Sequence, residues 1–272
     1  MMWPELATIE TFRALAIAER HALAARIAAA LDGYSAHAEL VGSAELAAVR
    51  HAATGQVLVA IPGGSFVMGL RDDELAELKR GAFADDPKQR FDHELASWFA
   101  ASRVVHRVEV AAFLCAIDVA YPDGRAKPDD GDEDPMYEEP DAVEAFVAAI
   151  AAHGFRLPSE AEWEWVAREG GARSWIVDAV GKHGFELDRG DAPPNAWGIS
   201  RLKSHHGEIV ADGWHPTYDG APVDSRAWEP GWPNVHRGSN GCWQDDAEAF
   251  GCHAAFRAPG ASGSARVARD LP

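Results

Sequence analysis

The segment RLPSEAEWEWVAREGG over residues 156–171 constrains this chain more than any other. Ser159 follows Pro158 and precedes Glu162 by three residues, the spacing of a capping box. In that arrangement the Ser159 hydroxyl accepts from the N–H of Glu162, and the Glu162 carboxylate accepts from the N–H of Ser159. Ala161, Trp163, Trp165, Val166 and Ala167 then predict a short helix with an aromatic flank, stopped by Gly170 and Gly171.

Upstream, Leu6, Ile9, Phe12, Arg13, Ala16, Leu23, Ile27 and Leu31 recur at three- and four-residue steps and predict a helix from Pro4 to Leu31, ended by Asp32 and Gly33. A second helix is expected over Ser43 to Ala53, broken by Thr54 and Gly55. Val57 to Ile61 and Ser65 to Met68 read as strands around Pro62, Gly63 and Gly64, a turn whose glycines tolerate positive φ. Asp72 to Arg80 reads as a short helix, Val104 to Val110 as an alternating strand, and Asp141 to His153 as a helix. Tyr121 to Asp134 is rich in Pro, Gly and Asp and reads as a loop. From Gly170 onward many Gly, Pro and Trp residues predict ordered loops.

The net charge of −18 repels phosphate backbones, and the basic residues are scattered rather than gathered into a patch, so no nucleic-acid partner is expected. No apolar run is long enough to span a bilayer, and the start shows no basic n-region of a secretory signal. Three cysteines in 272 residues make no disulfide framework, and a reducing cytoplasm is the expected location. The acids of Asp129 to Asp134 lack the spacing and terminal Glu of an EF-hand and read as a solvated loop.

Further words stand in a fixed order around the helix segment: VLVAIPGGSFVMG (57–69), HRVEVAAF (106–113), PDAVEAF (140–146), NAWGI (195–199), VADGWHPTYDGAP (210–222), VHRGS (235–239), CHAAFR (252–257) and ARVAR (265–269). Together with RLPSEAEWEWVAREGG they resemble the formylglycine-generating enzyme, or sulfatase-modifying factor, family, over roughly residues 57–272. The resemblance implies an α+β, C-type-lectin-like fold of the sulfatase-modifying-factor type, rich in loops. On that resemblance residues 55–272 are expected to form the domain, and residues 1–54 a helical N-terminal extension. In that family two cysteines after the matching serine bind copper(I) and activate oxygen, soft thiolates suiting that ion. Three residues past Ser239 stands Cys242, but eight residues past it, where the second thiolate belongs, stands Ala247. Cys252 is the only nearby substitute, and it aligns with a cysteine that is often structural. The family also holds calcium through an Asn and a Glu. In the matching stretch SHHGEI (204–209), Glu208 keeps its place, His205 replaces the Asn, and Gly207 replaces a tryptophan that lines the catalytic pocket. Calcium prefers oxygen ligands. His205 or His206, with His215 and Glu208, could instead hold zinc or iron, but adjacent histidines on a strand point to opposite faces and do not easily share one ion, so solvent-exposed or hydrogen-bonded histidines are the competing reading. His21, His37 and His51 read as surface residues, not as the three-histidine iron site of sulfoxide synthases that carry a similar C-terminal domain.

Two readings follow. In the first, the copper dithiolate is lost, no cofactor is resident, and the chain binds a protein or peptide partner. Related domains act as ligand-binding variable proteins and as modules of conflict systems, and in those variable proteins the stretch matching Gly238 to Arg257 carries the recognition surface. Trp243, Arg257, Trp214, Trp228 and Trp232 are the expected surface residues, because aromatic and Arg side chains dominate such surfaces. In the second, Cys242, Cys252 and Ser239 form a rearranged site of an oxygen-dependent oxidase acting on a cysteine or another peptide side chain. Copper(I) or calcium is then the implied ion, with Glu208 and His205 as metal ligands. Trp163, Trp165, Trp197 and Cys115 are expected in the core; Trp243 beside its family word also reads as core, and core placement competes with the surface role for Trp214, Trp228 and Trp232.

Overall fold

The computed structural model describes residues 3–80, 99–127, 135–176, 193–202, 207–238, 253–260 and 263–272. The main sheet has five antiparallel strands in the order β1 (Tyr34–Ala36), β2 (Ala48–His51), β3 (Val57–Ile61), β6 (Phe113–Val119) and β10 (Arg266–Asp270). Every residue of β3 is buried, so VLVAI is a continuous apolar run and not an alternating one. Its register sets Val59 opposite both Ala48 of β2 and Cys115 of β6. Cys115 is in the core, where burial pushes its thiol up to about 12.

The helix expected from Pro4 to Leu31 is broken into a 3-10 turn (Pro4–Leu6), α1 (Ile9–Arg13) and α2 (Ile17–Ala29). Thr8 and Ala16 are extended, and each starts a new helix. The Thr8 hydroxyl accepts from the N–H of Thr11, and Glu19 accepts from the N–H of Ala16 at 2.7 Å. Side chains that periodicity places inside one helix act as caps instead. The helix expected over Ser43 to Ala53 is not formed. Its alanine-rich centre is β2, paired on both sides and inserted between β1 and β3. Burial of Ala47, Ala48 and Val49 in the sheet outweighs the helix propensity of alanine. The first fifty residues therefore contribute two strands to the main sheet as well as the helix α2 that packs on them. His51, expected at the surface, is buried, with Nδ1 2.9 Å from the Thr54 hydroxyl.

Two smaller sheets complete the architecture. β4 (Gly64–Met68) pairs with β5 (His106–Val110), and β7 (Glu208–Gly213), β8 (Asn234–Arg237) and β9 (Arg257–Pro259) form a three-stranded sheet. α3 (Asp72–Arg80) follows β4, as expected. α4 (Pro140–Ala151) buries Val143, Phe146 and Ile150 along one stripe. α5 (Glu160–Ala167), the helix of the capping box, packs against β4, β5, β7 and β8 and so joins the two small sheets. The Trp165 indole donates to the carbonyl of Pro62 at 2.9 Å, and a Cβ on Gly64 (φ +155°) would sit 2.7 Å from the same ring. Glycine is required there by close approach as well as by φ. Among the described residues, no helix is long and apolar enough to cross a membrane.

Candidate functional site

α5 carries three glutamates, yet all eight of its residues are buried. A helix of this composition tolerates that only if each carboxylate meets a cation. The capping box forms as predicted: Ser159 Oγ accepts from the N–H of Glu162 at 3.1 Å, and Glu162 accepts from the N–H of Ser159 at 2.9 Å. The Glu162 carboxylate is also gripped by both terminal nitrogens of Arg156, at 2.7 and 2.8 Å.

On the opposite side, Glu160 and Glu164 are one turn apart and point into a dense ion network. Arg237 of β8 spans them, 2.6 Å from Glu160 and 2.7 Å from Glu164. Arg257 of β9 holds Glu160 through two nitrogens, at 2.7 and 2.9 Å. Arg168 closes the chain between Glu164 at 2.7 Å and Glu74 at 2.5 Å. The Tyr218 hydroxyl donates to Glu160, and the N–H of Gly69 to Glu164, both at 2.9 Å. Burial raises the carboxyl of Glu164, but Arg168 and Arg237 overcome it and hold the group down at about 2.

Three guanidiniums thus face three carboxylates. A fourth acid, Asp212, sits beside them without a guanidinium of its own. Its oxygens accept from the N–H of Glu160 at 2.6 Å and of Trp228 at 2.8 Å, tying the start of α5 to the loop between β7 and β8. Burial, then the neighbouring Glu160 carboxylate, push it up to about 7. His253 lies on the far side of the network between Phe99 and Trp175. Burial brings its imidazole down to about 3, so it is neutral.

The expected site residues divide sharply. Ser239, Cys242, Trp243, Cys252 and His205 lie outside the described residues. Glu208 is fully buried and bound by two nitrogens of Arg266, at 2.6 and 2.5 Å. Its oxygens face a guanidinium, and among the described residues no group of three or more His, Cys, Asp or Glu could hold a metal ion. Arg257, expected on a binding surface, is buried because Glu160 needs its charge. Trp214 stacks over that guanidinium at 4.7 Å. Trp228 lies flat on His215, with centroids 3.7 Å apart. Trp232 is 42% exposed and stands free at the rim of a cleft. Trp163, Trp165 and Trp197 are in the core, as expected. Sequence reading missed the network itself. Its available signal was the four-residue spacing of Glu160 and Glu164 on a helix rich in apolar residues, together with a lone arginine in each of the words VHRGS and CHAAFR.

The cleft beside Trp232 encloses about 850 Å³ between α4 and the β7–β8 loop, with Val143, Val147, Ala148 and Pro230 in its walls. A second cleft of about 790 Å³ shares Ala111, Ala112 and Ser225 with it as lining residues. The second runs past Trp3, Ile9 and Trp165, and its charged lining is Glu10, Glu109 and Asp224.

No protein-family model matches this chain. No curated protein matches it at a significant level. Solved structures do. PvdO from Pseudomonas aeruginosa is 22% identical with a TM-score of 0.57, the match covering 82% of this chain and 98% of PvdO. Variable protein 1 of Treponema denticola is 15% identical with a TM-score of 0.52, the match covering 88% of this chain and 99% of that one. At these identities the likeness shows the fold. The chain has a formylglycine-generating-enzyme-like fold, α+β and C-type-lectin-like, with antiparallel sheets and few helices.

Proposed function

We propose that this chain is a recognition module on a formylglycine-generating-enzyme-like framework, binding a protein or peptide partner and working without a resident cofactor. The observation that carries this reading is the contrast between buried glutamates, each held by an arginine, and an open, largely apolar trench at the surface. Chemistry by general acid, general base or metal needs titratable or ligating side chains that can reach a reactant. Here Glu74, Glu160, Glu164 and Glu208 each face an arginine. The trench instead offers exposed apolar side chains, Val147 and Trp232, of the kind that mark binding surfaces. The likeness in fold to a variable protein supports the same reading.

Titration of the reduced protein with copper(I) tests it, with Cys242→Ser and Cys252→Ser as controls. The expected result is no stoichiometric tight binding and no difference between the three proteins. Tight one-to-one binding that both substitutions abolish would replace this reading with the oxygen-dependent oxidase.

A further inference from the structure

We infer that the trench binds an extended peptide segment that places an apolar anchor beside Trp232 and Val147 and a lysine or arginine in the end lined by Glu10, Glu109 and Asp224. The inference rests on the recognition-module reading and names its partner by chemistry.

The two ends of the trench differ in charge. At the apolar end Arg156 lies between Glu162 at 2.7 Å and Asp270 at 2.6 Å, so its charge is neutralised by its own fold. The walls there select for apolar surface, and the exposed Trp232 ring offers a face on which an anchor side chain can stack. At the other end the lining holds three carboxylates and, among its described residues, no Lys, Arg or His. Glu109 and Asp224 have only exposed arginines near them, Arg107 and Arg226, each at 3.5 Å. Such solvent-facing pairs are weak and exchange readily for an incoming cation. Tryptophans 3 and 165 bound the same end but are buried, Trp3 beneath the Arg26 guanidinium at 5.4 Å, so the carboxylates and not the rings select the cation. The net charge of −18 steers a cationic partner toward the protein and an anionic one away. Each cleft alone has the volume of a small-molecule site, about 300–1,000 Å³. Two neighbouring clefts that share Ala111, Ala112 and Ser225 in their walls suit a chain.

Random twelve-residue peptides displayed on phage and selected on the full-length protein at low salt test the proposal. A winning peptide is then synthesised and titrated by calorimetry into the parent, into Glu10→Gln/Glu109→Gln/Asp224→Asn, and into Val147→Asp, with near-UV circular dichroism confirming that each variant is folded. Winners are expected to combine a bulky apolar residue with Lys or Arg. The triple substitution should weaken binding about tenfold and flatten its salt dependence. Val147→Asp should remove binding. Winners that are neutral or acidic, or no winners at all, overturn the proposal. Concentration-dependent dimerisation lost in Val147→Asp also overturns it and assigns the face to a second copy. Peptides that bind parent and variants alike overturn the trench assignment yet leave a recognition module standing, whereas stoichiometric copper(I) binding removes the module itself.

Discussion

The network around α5 and the trench outside it use the same residue types in opposite ways. Inside, Glu160 has Arg237, Arg257 and the Tyr218 hydroxyl within hydrogen-bond reach. Outside, Glu10, Glu109 and Asp224 line a cleft whose described lining holds no cation. A buried carboxylate without a partner costs several kcal/mol, so the interior pattern is dictated by the fold. An exposed carboxylate is hydrated at little cost, so the outer pattern is free to serve recognition. Charge in this molecule marks framework where its pairing is buried, and is free for recognition where the pairing is exposed to solvent.

The largest expected effect breaks the inner half. Arg237→Ala strips Glu160 and Glu164 of their shared cation and leaves two carboxylates buried beside Trp163, over whose ring the guanidinium lies at 5.1 Å. Loss of about 3–5 kcal/mol of unfolding free energy is expected, read from urea denaturation. Arg266→Ala, which strands Glu208, should cost a similar amount. A loss below about 1 kcal/mol in both would mean that water reaches these carboxylates and that the interior is less closed than the geometry indicates.

How much of this was legible in the chain depends on the distance over which each residue acts. The capping box, the helix stop at Gly170 and the strands flanking Pro62 are local, and their chemistry is written within a few residues of one another. β2 was not legible, because alanine and valine at 47–49 favour a strand only once β1 and β3 stand on either side. Arg257 was misplaced for the same reason. In sequence it ends an apolar word and looks available, while its partner Glu160 lies ninety-seven residues away. Asp212 gave no local sign at all, since its raised pKa is set by burial and then by the Glu160 carboxylate, fifty-two residues away.

Acidity is the next lever on the comparison, with a smaller effect. Asp212, raised to about 7, contributes stability that is full below its ordinary value of 3.8 and is lost as pH rises through 7. His253, lowered from 6.5 to about 3, contributes stability that is full above 6.5 and is lost as pH falls through 3. Between pH 4 and 6.5 the two slopes oppose each other, each at about 1.4 kcal/mol per pH unit. Stability measured across that window in Asp212→Asn should therefore climb with pH relative to the parent, and in His253→Phe it should fall. Parallel profiles for parent and both variants would show that neither group changes its protonation on folding, and the fourth acid would then belong with the hydrated carboxylates outside.

The smallest effect on stability is expected at Trp232, and that is what makes it diagnostic. Its ring is 42% exposed, whereas Trp163 and Trp165 are 1% exposed and hold the two small sheets together. Trp232→Ala removes little buried area, so the denaturation midpoint should shift by no more than about 0.5 kcal/mol in free energy. If the trench is a recognition surface, the same substitution should weaken a selected peptide by tenfold or more, as loss of an aromatic anchor does at protein interfaces. Stability and binding then separate at one residue. A large loss of stability with unchanged peptide affinity would instead make Trp232 part of the framework, joining it to Trp228, which stacks on His215 within the same loop.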